Sequence, residues 1–70
     1  MKNYGEVEEY NGVYGNIKGI DGNDYKLLDK NIIDKEIKVR DNVEFEKDTF
    51  KTPDIEINIA RFVKIIKKNK

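Results

Sequence analysis

The sequence contains no cysteine and no histidine, and it has one proline and one methionine. Without cysteine, the chain can form neither a disulfide nor a thiolate metal site, so side-chain packing must stabilise the fold. Without histidine and cysteine, it lacks the commonest general base near neutral pH, a thiol nucleophile and the usual zinc ligands. We therefore expect a protein that is not an enzyme and that uses no cofactor and no metal.

Long apolar runs are also missing. No stretch approaches the roughly 20 apolar residues that a membrane-spanning helix needs, and the N-terminus lacks the apolar region of a secretory signal. Together with the absence of cysteine, this predicts a cytoplasmic protein that makes no contact with a membrane.

Neither sign of charge is in excess, because 14 Lys plus Arg balance 14 Asp plus Glu. The net charge therefore neither favours nor opposes a polyanionic partner, and only a local patch of charge could attract phosphate. Lysines are concentrated in residues 64–70, which we interpret as a solvated C-terminal tail. The alternative is that this tail contacts nucleic acid or an acidic protein surface.

The apolar residues that are present favour strands. Most of them are Ile, Val, Tyr and Phe, whereas alanine, a strong helix former, occurs once. A chain of 70 residues allows one domain, so we expect a single all-β domain over residues 1–70 with its core in about residues 5–65.

Turn residues and alternating apolar residues predict five strands. Asn11-Gly12 predicts a two-residue hairpin turn within residues 7–17, and residues 21–23 predict the turn into a third strand. Alternation in residues 42–46 and 55–59 predicts strands four and five. We expect one helical turn near Ile32 and Ile33 to close an end of the barrel, and residues 47–54 to form a mobile surface loop.

Strand alternation also predicts the direction of each side chain. The residues expected to face the core are Val13, Gly15, Ile17, Tyr25, Leu27, Val43, Phe45, Ile55, Ile57 and Ile59. The residues expected on the outer face of the second and third strands are Tyr14, Asn16, Lys18, Lys26 and Leu28. If Val43 and Ile57 are both buried, replacing either by alanine should cost about 2–4 kcal/mol.

Several short motifs occur in the order found in a known family. They are Gly5-Glu6-Val7 with Tyr10-Asn11, Tyr14-Gly15-Asn16-Ile17, residues 24–28, Asp41-Asn42-Val43-Glu44-Phe45 and Ala60-Arg61-Phe62-Val63. Over about residues 5–65 the chain thus resembles the cold-shock domain family, a branch of the OB-fold. The resemblance implies a five-stranded antiparallel barrel that binds single-stranded nucleic acid by stacking bases on aromatic side chains.

The chain departs from this family at the stacking positions. Glu9, Asn16, Lys26, Leu28 and Asp29 stand where the family has aromatic residues or histidine. At about 1 kcal/mol for each lost ring, five losses amount to about 5 kcal/mol, or more than three orders of magnitude in affinity. The resemblance therefore implies, at most, weak binding of single-stranded RNA or DNA.

Two functions remain open. In the first, Tyr14, Lys18 and Lys26 bind single-stranded nucleic acid with help from Asn11 and Asn16, although Tyr14 could simply cover the lysine stems. In the second, the barrel has lost nucleic-acid binding and serves as a protein-interaction or inhibitory module that contacts its partner through the sheet face, Leu28 and Phe50. Phe50 has its own structural alternative, in which it folds back over the mouth of the barrel.

Overall fold

Five strands form a closed barrel in the computed structural model, which describes residues 2–68. The strands are β1 (Lys2–Tyr10), β2 (Tyr14–Gly19), β3 (Asp24–Leu28), β4 (Asn42–Lys51) and β5 (Glu56–Lys67), and a short 3₁₀ turn (Asp29–Asn31) follows β3. Their order around the barrel is β1-β2-β3-β5-β4, and β4 also pairs with β1. The predicted all-β barrel is confirmed and is compatible with an OB-fold. It is mixed rather than purely antiparallel, because β3 and β5 run parallel.

The core lies inside the barrel and is built from the inward residues of every strand. Strand alternation predicted six of these correctly, namely Gly15, Ile17, Tyr25, Leu27, Val43 and Phe45. The remaining apolar core residues are Val7, Ile32, Ile37, Ala60 and Val63. At the centre, the rings of Tyr25 and Phe45 lie 4.8 Å apart between centroids and are tilted by 58°, a geometry that aromatic pairs favour.

The β1–β2 hairpin occurs where it was predicted but has a different turn. Three residues rather than two connect the strands, and of these only Gly12 has a positive φ, at 96°. The Oδ1 of Asn11 accepts hydrogen bonds from the backbone N–H groups of Val13 and Tyr14, both at 2.9 Å, as Asx turns do. Because Val13 belongs to this turn, it is exposed, and its predicted place in the core was wrong.

The β4–β5 hairpin is longer than the sequence predicted. β4 continues to Lys51, so most of residues 47–54 form strand, and the predicted loop was wrong. The turn is closed by Thr52, whose N–H donates to the carbonyl of Ile55 at 2.8 Å. Ile55 is exposed in this turn, and the predicted burial of Ile57 was also wrong, since it lies half-buried on the outer face.

The segment between β3 and β4 closes one end of the barrel. Ile32 is buried and pairs with Val63 of β5, as expected for a plug, whereas its neighbour Ile33 points away and is exposed. The buried carboxylate of Asp41 accepts hydrogen bonds from the Lys38 N–H and the Lys68 Nζ, both at 2.9 Å. These contacts join the segment to the end of β5.

The lysine-rich segment is partly strand. β5 runs to Lys67, so Lys64 and Lys67 lie in the barrel wall, while residues 69–70 of the predicted tail lie outside the described residues. Within residues 2–68 there is no helix long and apolar enough to cross a membrane.

Candidate binding face

Side chains from three strands meet on the outer face of the barrel. Tyr14 of β2 pairs with Leu28 of β3, and Lys26 of β3 pairs with Ile59 of β5. Cross-strand partners point to the same side of a sheet. Together with Ile57, these residues line a shallow depression of about 330 Å³, which we call the sheet-face hollow.

Tyr14 offers an aromatic ring at the edge of the sheet-face hollow. It is the first residue of β2, and 56% of its surface is exposed. The backbone N–H of Tyr14 donates a hydrogen bond to the Oδ1 of Asn11. Leu28, its partner on β3, is half-buried beside it. The backbone of Tyr14 is therefore fixed, while its ring is accessible to a ligand.

Lys26 supplies a positive charge that forms no ion pair with a described residue. It is exposed, and no carboxylate among the described residues lies within 4 Å of its Nζ. Lys18 differs, because its Nζ lies 3.6 Å from the carboxylate of Asp24. Of the two predicted lysines, Lys26 thus has the more available charge.

The two predicted asparagines make hydrogen bonds within the protein. Asn11 uses its side-chain oxygen in the hairpin turn, and the Nδ2 of Asn16 donates to the Oε1 of Glu8 at 2.6 Å. Asn16 shares the outer face with Lys26, its strand partner, whereas Asn11 lies at the end of the barrel. The structure therefore brings Tyr14 and Lys26 together, with Asn16 and Lys18 on the same face. Asn11 lies in the turn beside Tyr14, with its side-chain oxygen already used within the protein.

A second depression lies on the other side of Tyr14. It has a volume of about 380 Å³ and is lined by Glu9, Tyr10, Asn11 and Tyr14. The pKa of the Tyr10 hydroxyl is raised by burial and by the negative charge of Asp29. With acidic groups at this end, the depression is a poorer site for an anion than the sheet-face hollow.

The predicted protein-contact residues lie next to the same hollow. Leu28 lines it, and Phe50 of β4 pairs with Ile57, so both side chains are on the outer face. Phe50 is 54% exposed and belongs to a strand, and it does not cover the barrel mouth. The sequence missed Ile57 and Ile59 as surface residues because an alternating strand does not reveal which of its faces is buried.

The described part of the chain contains no cluster of three or more acidic, cysteine or histidine side chains that could hold a metal ion. No family model, curated protein or solved structure matches the chain. The case for a function therefore depends on the residues of the outer face.

Proposed function

We propose that the protein is a non-enzymatic module that binds single-stranded RNA or DNA weakly and without strong sequence preference. The observation that carries this proposal is the exposed ring of Tyr14 beside Lys26, which forms no ion pair with a described residue, at one open, apolar hollow. A base stacked on an aromatic ring gains about 1–3 kcal/mol, and every base has a face to offer. The ammonium of Lys26 neutralises a neighbouring phosphate and releases counterions.

The fold and the matched motifs support the same class of ligand. The barrel is compatible with an OB-fold, and strands two and three of the cold-shock domain family, which the chain resembles, carry that family's stacking residues. In this chain, Leu28 stands at one of the altered stacking positions, and Leu28 and Ile59 provide aliphatic contact in the hollow beside Tyr14. We therefore propose a divergent cold-shock-like domain with one remaining stacking ring on this face. The absence of cysteine suits a reducing compartment, and we place this activity in the cytoplasm.

An NMR titration with a mixed-sequence single strand of about ten nucleotides tests the proposal. We expect shifts at Tyr14, Asn16 and Lys26 that weaken as salt is raised, with a slope of about −0.7 per phosphate contact in a plot of log affinity against log salt. Tyr14→Ala should reduce binding, whereas Tyr4→Ala removes an exposed aromatic that does not line the hollow. An absence of shifts at millimolar ligand, or equal binding by the two variants, would overturn the proposal.

A second candidate function, contact with a protein partner, is favoured by one further observation. Leu28, Ile57, Ile59 and Phe50 form an apolar stripe across β3, β5 and β4, and the cores of protein interfaces are apolar and depleted of charge. A partner that is retained after nuclease treatment by the wild type, but lost by a Leu28→Asp variant, would support this function. Recovery of nucleic-acid-dependent complexes alone would exclude it.

A further inference from the structure

Phe62 lies in a β-bulge that turns its ring out of the barrel. Glu44 pairs with Lys64 and Glu46 pairs with Arg61, so Phe62 and Val63 together oppose one residue of β4. Phe62 has a φ of 54°, a backbone conformation that bulky residues rarely adopt, and 64% of its surface is exposed. Bulges bend a strand and re-aim side chains, often beside functional sites.

The exposed ring borders another hollow, separate from the two depressions at Tyr14. This bulge hollow has a volume of about 310 Å³ and is lined by Lys30, Asn31, Ile32, Ile33, Arg61 and Phe62. Two of these residues are cations and none is acidic. The hollow therefore combines positive charge, an aromatic face and an aliphatic floor, which suits a ligand that is both anionic and apolar.

Hydrogen-bond donors in the bulge hollow remain available to a ligand. The Nδ2 of Asn31 is shielded from solvent and has no acceptor among the described residues, and an unmade hydrogen bond of a buried group is costly. Arg61 donates its Nε to Asp48, which orients the guanidinium, and its other N–H groups form no hydrogen bond within residues 2–68. Lys30 has no carboxylate within ion-pair distance in the same part of the chain.

We infer that the bulge hollow is a second contact site for the same single-stranded nucleic acid, an inference that rests on the proposed function. Phe62 stacks one base, Asn31 donates to an acceptor on that nucleotide, and Lys30 approaches a phosphate. Arg61, whose charge is paired with Asp48, donates the N–H groups that Asp48 does not use. Ile59 lines the sheet-face hollow, and Arg61 lines the bulge hollow. Arg61 lies two residues after Ile59 on the same face of β5, about 7 Å further along the strand. The two hollows are therefore neighbours, and this continuity favours one nucleic-acid strand over a separate acidic peptide.

Methyl NMR distinguishes binding at the two hollows, because Ile33 lines the bulge hollow and Ile57 lines the sheet-face hollow. The probe is an oligothymidylate of about ten nucleotides. We expect it to shift both methyl groups in the wild type. In Phe62→Ala, the Ile57 shift should remain, the Ile33 shift should be lost, and affinity should fall at least about fivefold, the equivalent of about 1 kcal/mol of stacking.

Two further variants act as controls. Phe62→Gly removes the ring and also relieves the positive φ, so a binding loss shared with Phe62→Ala cannot be ascribed to backbone strain at this position. Tyr4→Ala removes an exposed aromatic outside both hollows and should bind as the wild type does.

The outcomes distinguish this inference from the proposed function. Shifts at Ile57 alone, with unchanged affinity of the Phe62 variants, overturn the inference and leave the proposed function standing. Shifts at Ile33 alone support the inference and refute the site proposed at Tyr14, and no shift at either methyl refutes both. A shift of Ile33 by an alternating Glu-Leu peptide, and not by the oligonucleotide, overturns the assignment to nucleic acid.

Discussion

Alanine substitutions at Val43 and Ile57 should have unequal effects on stability. Val43 is fully buried, and Val43→Ala removes two methyl-sized groups at about 0.8 kcal/mol each and leaves a cavity, for a total of about 2–3 kcal/mol. Ile57 is partly buried on the outer face, where water fills the vacated space, so Ile57→Ala loses only part of the transfer free energy of three carbons and should cost about 1–1.5 kcal/mol. A chain of 70 residues has a total stability of roughly 4–10 kcal/mol, so this difference is large.

Urea denaturation followed by circular dichroism measures both variants. At about 4–8 °C per kcal/mol, Val43→Ala should also lower the melting temperature by roughly 10–20 °C, and Ile57→Ala by roughly 4–12 °C. Ile20→Ala, at an exposed isoleucine, serves as a control that should change stability by no more than about 0.5 kcal/mol. Equal costs at Val43 and Ile57 would refute the reasoning, because they would mean that Ile57 faces the core and that the register of β5 is wrong.

Three further predictions concern close packing, pH and the end of β5. Gly15→Ala should prevent cooperative folding, because its Cβ would lie 2.0 Å from a backbone oxygen of β1; a normal melting curve would contradict this. The pKa of Tyr25 is raised by burial and by its hydrogen bond to Asp21, so its contribution to stability is complete below about pH 10 and is lost as pH rises through the folded-state pKa. Tyr25→Phe should flatten this alkaline decline in urea titrations, and an unchanged decline would exclude Tyr25 as its cause. Lys68→Ala should cost about 1–2 kcal/mol, because the buried carboxylate of Asp41 loses an ion-pair partner that is itself half-exposed; an unchanged urea midpoint would show that this pair contributes nothing.

The sequence by itself determined the features that depend on neighbouring residues. Gly12 and Gly22, the two glycines with positive φ, lie at the two predicted turns, since glycine adopts this conformation without steric cost. Tyr25, Leu27 and Phe45 were correctly expected to face inward, because alternate residues of a strand lie on opposite faces. Tyr14 and Lys26 were placed on the outer face by the same rule.

Only the tertiary structure decided which face of β5 is buried. Apolar and polar residues alternate in residues 55–59 as predicted. The alternation is the same whether the apolar side chains point into the barrel or out of it. The bulge at Phe62 adds one residue to β5, so the inward residues before and after it are three positions apart rather than two. Ala60 and Val63 therefore fill the core, while Ile57 and Ile59 reach the surface. The sheet-face hollow and the bulge hollow both depend on which face of β5 is buried, because each is lined by outward residues of β5 and by residues distant from them in the sequence. Barrel closure sets that arrangement through long-range pairing, which no local pattern of residues encodes.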